Sequence, residues 1–183
     1  TPAHIIFIDT EVIPEHKRIA DSGAIRWDGL EIHTSRIDDF VEMLRSADFL
    51  CGHNILHHDL IYLSPFFKKA GTTVPEAIDT LFLSPLLFPA RPYHHLVKDD
   101  KLQTDDLNNP LNDAKKSRDL FYEEIEKFQE TDESLKRILY SLLANRKEFG
   151  AFFRYMKYRP DQTTDLSQQI IDRFRDKICS RAG

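Results

Sequence analysis

Apolar, β-branched runs open the chain, and helical stripes follow them. AHIIFIDTEV (3–12) predicts a buried strand. IADSGAIRWD (19–28) and LEIHTS (30–35) come next, joined by Asp28-Gly29, a strong hairpin signal. These segments predict an antiparallel three-strand meander. Ser35, with Asp38 three residues on, marks a helix start, and Ile37, Phe40, Val41 and Leu44 then fall on one helical face. FLCGHN (49–54) predicts a short buried strand. Residues 56–69 read as a helix that Pro65 should kink or end. Ala77–Leu81 predicts another strand, leading into helical LFLSPLLF, and Tyr93–Lys101 predicts a helix. Asn109-Pro110 opens a long helix to about Gln129, with Asn at the N-cap and Pro in the first turn. Beyond Thr131 the pattern is helical: Leu135 to Leu143, Phe149 to Met156, and Leu166–Cys179 after a break at Pro160. The pattern is α/β: a mixed sheet with a meander and parallel strands, flanked by helices. It predicts a domain over 1–130 and a helical C-terminal extension over 131–183.

Composition narrows the class. At 183 residues, 41% hydrophobic and 30% charged, the chain is expected to be globular, not disordered. Its apolar runs fall short of the roughly 20 residues a membrane span needs, and residues 1–12 read as folded protein and not as a secretory signal. Cys51 and Cys179 have no metal-site spacing, which fits a reducing, cytoplasmic setting and excludes a disulfide framework or a cysteine zinc site. The net charge of -5 argues against a general nucleic-acid coat protein. Residues 151–183 hold seven Lys+Arg against four Asp+Glu, so the tail is +3 and the remainder -8. The start at Thr1 and the end at Arg-Ala-Gly predict a piece of a longer protein, covalently linked to absent sequence.

The acidic part contains the candidate chemistry. Asp9 and Glu11 lie two apart on the first strand, hence on one face, with Thr10 on the other. Two carboxylates there either face water at the strand end or need a divalent cation, and an all-oxygen set favours Mg²⁺ or Mn²⁺. Asp59, after CGHNILHH, opens the next helix, and Asp113 lies in the first turn of the long helix. Taken singly, each of these two reads better as a first-turn aspartate complementing a helix dipole, and only the set of four acids, each at the edge of a different element, favours a site.

FIDTE, GHNILHHDL and NNPLNDA, in this order, resemble the three motifs of the DEDD 3′–5′ exonucleases, the DnaQ-like branch of the ribonuclease H-like fold. The resemblance covers about residues 3–128. It implies a ribonuclease H-like sheet and two divalent ions, Mg²⁺ or Mn²⁺, held by Asp9, Glu11, Asp59 and Asp113. It also implies hydrolysis of phosphodiester bonds at single-stranded 3′ ends, DNA foremost. Thr10, Val12 and Asn54 fall where the family meets its substrate. The family's base positions, a His five before the last Asp or a Tyr four before it, hold Asn108 and Asn109 here. An amide orients water but cannot take its proton, so His58, or His94 and His95, are the alternative bases. Two rivals fit the same residues: a nuclease-like module that binds nucleic acid ends or a partner within a larger DNA-processing protein without turnover, and a scaffold with surface acids. The NNPLNDAKKSRDLF stretch and the helical tail also resemble the exonuclease-like region of some bacterial RecQ-type helicases, though no phosphate-loop motif is present.

Overall fold

In the computed structural model, described for residues 3–16, 18–96, 109–161, 165–175 and 177, five strands form one mixed sheet. The chain begins with β1 (Ile5–Ile13), β2 (Arg18–Arg26) and β3 (Glu31–Thr34), the antiparallel meander. Gly29 turns the second hairpin at φ +85, a conformation open to glycine without steric cost. Next come α1 (Ile37–Leu44), β4 (Phe49–Gly52), α2 (Asp59–Lys69), β5 (Glu76–Asp79) and α3 (Thr80–Leu87). Strands β4 and β5 run parallel to β1 and give the sheet order β3-β2-β1-β4-β5. The later elements among the described residues are α4 (Pro110–Glu130), α5 (Glu133–Leu143), α6 (Gly150–Tyr155) and α7 (Leu166–Phe174).

Both faces of β1 are covered, so its side chains alternate between two apolar layers. Ile6 and Ile8 join Phe40, Val41 and Leu44 of α1 and Leu63 and Phe67 of α2. Ile5 and Phe7 point the other way, into a layer with Phe121 and Phe128 of α4. The Phe149–Met156 stripe belongs to that second layer: Ala151, Phe152 and Phe153 of α6 are buried there beside Cys51 and Ile78.

Several local expectations are corrected. The N-cap of α1 is Arg36, not Ser35, because the Thr34 hydroxyl accepts the Arg36 N–H at the end of β3. Helix α2 starts at Asp59 and continues through Pro65, which lies on the exposed face where the missing N–H costs least. Residues 93–96 are not helical, and residues 97–101 of that expected helix lie outside the described residues. Helix α7 ends at Phe174, and Cys179 also lies outside the description. Asn109 caps α4 as expected, accepting from the N–H groups of Leu111 and Asn112.

Glu124 on α4 is fully buried, and neither of its carboxyl oxygens has a hydrogen-bond partner among the described residues. Burial, with the nearby Asp79 charge, pushes it up to about 10, so it holds a proton at neutral pH. A group raised in the folded state costs stability as pH climbs from its ordinary value toward the raised one. Glu124→Met is therefore expected to stabilise the chain by about 1–3 kcal/mol, the scale of an unsatisfied buried polar group. Thermal unfolding should show a larger gain near about pH 9 than near about pH 5. A loss of stability at both would mean that the carboxyl is satisfied.

Candidate functional site

Strand β1 outruns β4. Their pairing covers only Ile5 to Phe7, and beyond it β1 is held by β2 alone. This overhang, at the carboxyl end of the parallel strands, leaves the kind of crevice in which α/β sheets bind ligands. Asp9 and Glu11 lie on the overhang, with a bulge between Glu11 and Val12. Asp113 arrives from the first turn of α4, which packs against β1 and β2. One carboxyl oxygen each from Asp9, Glu11 and Asp113 lies within 4.8 Å of the others.

Asp59 approaches from the other face of β1. It is 1% exposed, and its Oδ1 accepts a 2.7 Å hydrogen bond from the Thr10 hydroxyl. Asp59 therefore lies outside the oxygen triad, so three of the four expected acids converge, but its charge still acts on Asp9. Burial first, then the charges of Asp59, Asp113 and Glu11, push Asp9 up to about 8. Four acids this close cannot all ionise without a counter-charge. Among the described residues, Lys116 Nζ is 3.5 Å from Asp113, and the His58 ring is 3.8 Å from Asp59, its affinity for a proton raised by that contact.

Asp9, Glu11 and Asp113 line one side of an open cleft of about 770 Å³, whereas Asp59 is buried behind it. His53, Asn54, His58, Tyr93 and His95 form much of the rest. Asn54 is held at φ +67 by its backbone N–H, which donates to Asp79 Oδ1. Leu56 and Leu81 donate to the same carboxyl group. Asp79 therefore caps α3 and also fixes the turn that delivers Asp59. Burial and His95 push His53 down to about 4, so it is neutral near pH 7. Its Nδ1 meets the Thr80 hydroxyl at 2.9 Å, and its Nε2 is buried without a partner among the described residues.

No protein-family model and no curated protein sequence matches the chain. Among solved structures, it is similar to the family B DNA polymerase from the hyperthermophilic archaeon Pyrobaculum calidifontis, with a TM-score of 0.47 and 16% identity. The match covers 70% of this chain and 25% of the polymerase chain. A likeness this distant leaves the chemistry of the cleft to its own residues.

The other sequence candidates are placed as follows. Thr10 lines the cleft, but its hydroxyl is engaged by Asp59. Val12 packs against the α1–α2 apolar layer. His57 stacks edge-on against Phe82, and His94 is turned to the Ser84 hydroxyl at 2.9 Å, which leaves His58 and His95 as the imidazoles of the cleft outside the His53 pocket. Asn108 lies outside the described residues. Sequence reasoning missed Asp79, His53 and Tyr93. Asp79-Thr80 before an apolar helical run is an N-cap signature that points to the first of these.

Proposed function

We propose that the chain is a divalent-metal-dependent 3′–5′ exonuclease acting on single-stranded nucleic acid ends, DNA foremost. The observation that carries this reading is the convergence of Asp9, Glu11 and Asp113 within 4.8 Å at the head of an open cleft. The donor set fits the cation: it is all oxygen, and burial together with the neighbouring acids raises Asp9, a cost that a bound cation would offset. Asp9, Glu11 and Asp113 would hold the ion, and Asp59, bonded to Thr10 and facing His58, would act on it through its charge. When bound, Mg²⁺ or Mn²⁺ supplies activation of the attacking water and stabilisation of the leaving oxygen. The chain's own part would be to hold the strand end in the cleft beside these acids and to take up the water's proton. His58 and His95 line the cleft and can hold that proton. Tyr93, 63% exposed at the rim, offers a stacking face for a base.

Calorimetric titration with Mn²⁺, followed by digestion of strands labelled at the 5′ end, tests the reading. The expected result is metal binding and a ladder shortened from the 3′ end. Binding without shortening would favour a second reading, a nuclease-like module that holds ends without turnover. The amides Asn108 and Asn109 at the family's base positions favour that alternative. Absence of metal binding would defeat both.

A further inference from the structure

A second cavity, of about 430 Å³, opens between α5 and the residues that follow α6. Arg154, Lys157 and Arg159 line it together with Tyr140, Asn145 and Tyr158, and no carboxylate is in its lining. It lies at the other end of β5 from the acidic cleft. Arg154 pairs with Glu76, where β5 begins, whereas Asp79, where it ends, holds the turn of the cleft.

Two local choices place cations over this cavity. Helix α6 ends in a Schellman motif: the Tyr158 N–H donates to the Phe153 carbonyl and the Lys157 N–H to the Arg154 carbonyl, both at 3.0 Å. The residue between helix cap and exit is Lys157, at φ +51. Glycine is the usual occupant of that position, because a side chain in the left-handed region is strained. Gly150 makes the converse choice. A Cβ there would stand 2.7 Å from the Ala144 carbonyl and 3.0 Å from the Arg154 guanidinium. The helix thus keeps a side chain where glycine relaxes the backbone, and glycine where a side chain would displace Arg154. Lys157 and Arg159 are exposed and form no ion pair with the described residues. The surrounding segment has a net charge of +3.

We propose that this pocket binds a phosphate group of a nucleic acid strand, a grip on the backbone remote from the acidic cleft. The choice of a strand rests on the nucleic-acid part of the reading above; the anion site itself does not. Arg154 is held by Glu76 and the Tyr158 hydroxyl donates to Glu133, which leaves Lys157 and Arg159 to meet an oxyanion, and a −8 body needs a cationic region to approach a polyanion.

The test is fluorescence anisotropy of a labelled oligothymidylate with the whole chain, without divalent metal, over a salt series. Lys157→Gly and the pair Lys157→Gly/Arg159→Ala are compared with the parent. Lys157→Gly relieves the positive φ, so its melting temperature should hold or rise while its strand affinity falls. For the pair we expect roughly a 5- to 20-fold loss near about 0.1 M salt and a salt slope shallower by about 1–2. Mn²⁺ binding at the cleft should be unchanged. Folded variants with the parent's affinity and slope would overturn the proposal. So would a parent chain that binds no strand. If inorganic phosphate or a mononucleotide binds here while the variants keep full strand affinity, the strand assignment fails. If polyglutamate displaces the strand as readily as free oligothymidylate does, the pocket is one for acidic peptide. Strand binding lost in the variants but with no hydrolysis by the parent would instead sink the nuclease reading alone.

Discussion

Gly23→Ala should melt far below the parent chain and lose the metal site with it. Gly23 lies on β2 directly opposite Asp9, and the first turn of α4 rests on it. A Cβ at that position would stand 2.1 Å from Leu111 N and 2.3 Å from the Pro110 carbonyl carbon. Both are backbone atoms, so no side-chain rotation relieves the clash and the helix must retreat. Overpacking usually costs about 1–3 kcal/mol; against rigid backbone on both sides, we expect about 3–5 kcal/mol. For a chain of this size that is a fall of roughly 6–20 °C. The retreating turn also carries Asp113, so Mn²⁺ affinity should fall by at least about tenfold, the effect of roughly 1.4 kcal/mol. Ser22→Ala, one residue earlier, is the control: it removes a buried hydroxyl without a partner among the described residues and should be nearly neutral. Equal melting of Gly23→Ala and parent would show that α4 does not rest on β2 this closely.

The second large effect is a pair of opposite changes. Asp9→Asn and Asp113→Asn should each weaken Mn²⁺ binding by at least about 10–100-fold, the loss typical of removing even an outer-shell partner of a metal site. At the same time the metal-free chain should become more stable with Asp9→Asn. Asp9 is raised from 3.8 to about 8. The folded state therefore holds a proton that the unfolded state has released, and metal-free stability falls as pH rises through that window. Removing the acid removes the fall, so the gain should be greatest near about pH 8 and vanish near about pH 4. In the parent, Mn²⁺ affinity should climb over the same window, because metal displaces the Asp9 proton. Variants that bind Mn²⁺ normally and melt lower at every pH would make these acids structural.

How much of this was legible depended on whether the determining signal was local. The Asp28-Gly29 turn and the Asn109-Pro110 cap are each complete within a few residues, and the structure has both. The two-residue spacing of Asp9 and Glu11 was similarly readable: both reach the Asp113 oxygen, while the Thr10 hydroxyl turns to Asp59. What was not legible depends on distant partners. Nothing near Asp59 indicates that Thr10 engages one of its oxygens. Glu124 sits in a charged helical stretch whose pattern gives no sign that this one acid is sealed against Cys51 and Asp79. Pro65 alone predicts a kink or an end, because its exposed position in α2, where a missing N–H is tolerated, depends on how the helix packs. The ribonuclease H-like resemblance anticipated the mixed sheet, and the five-strand order is compatible with it.

The overhang of β1 has a kinetic meaning as well. Asp9 enters the chain near its start, and Asp113 only after every strand and the first three helices. Joining them closes one of the longest loops in the fold, a contact whose entropy must be met before it gives anything back. If the transition state for folding assembles the meander and its helices first, with α4 not yet docked on β2, a cation bridging these acids cannot speed folding. It would act on the way out, by retaining α4 and slowing unfolding. A chain loaded with Mn²⁺ would then differ from the metal-free chain mainly in how long it stays folded, and hardly in how fast it gets there.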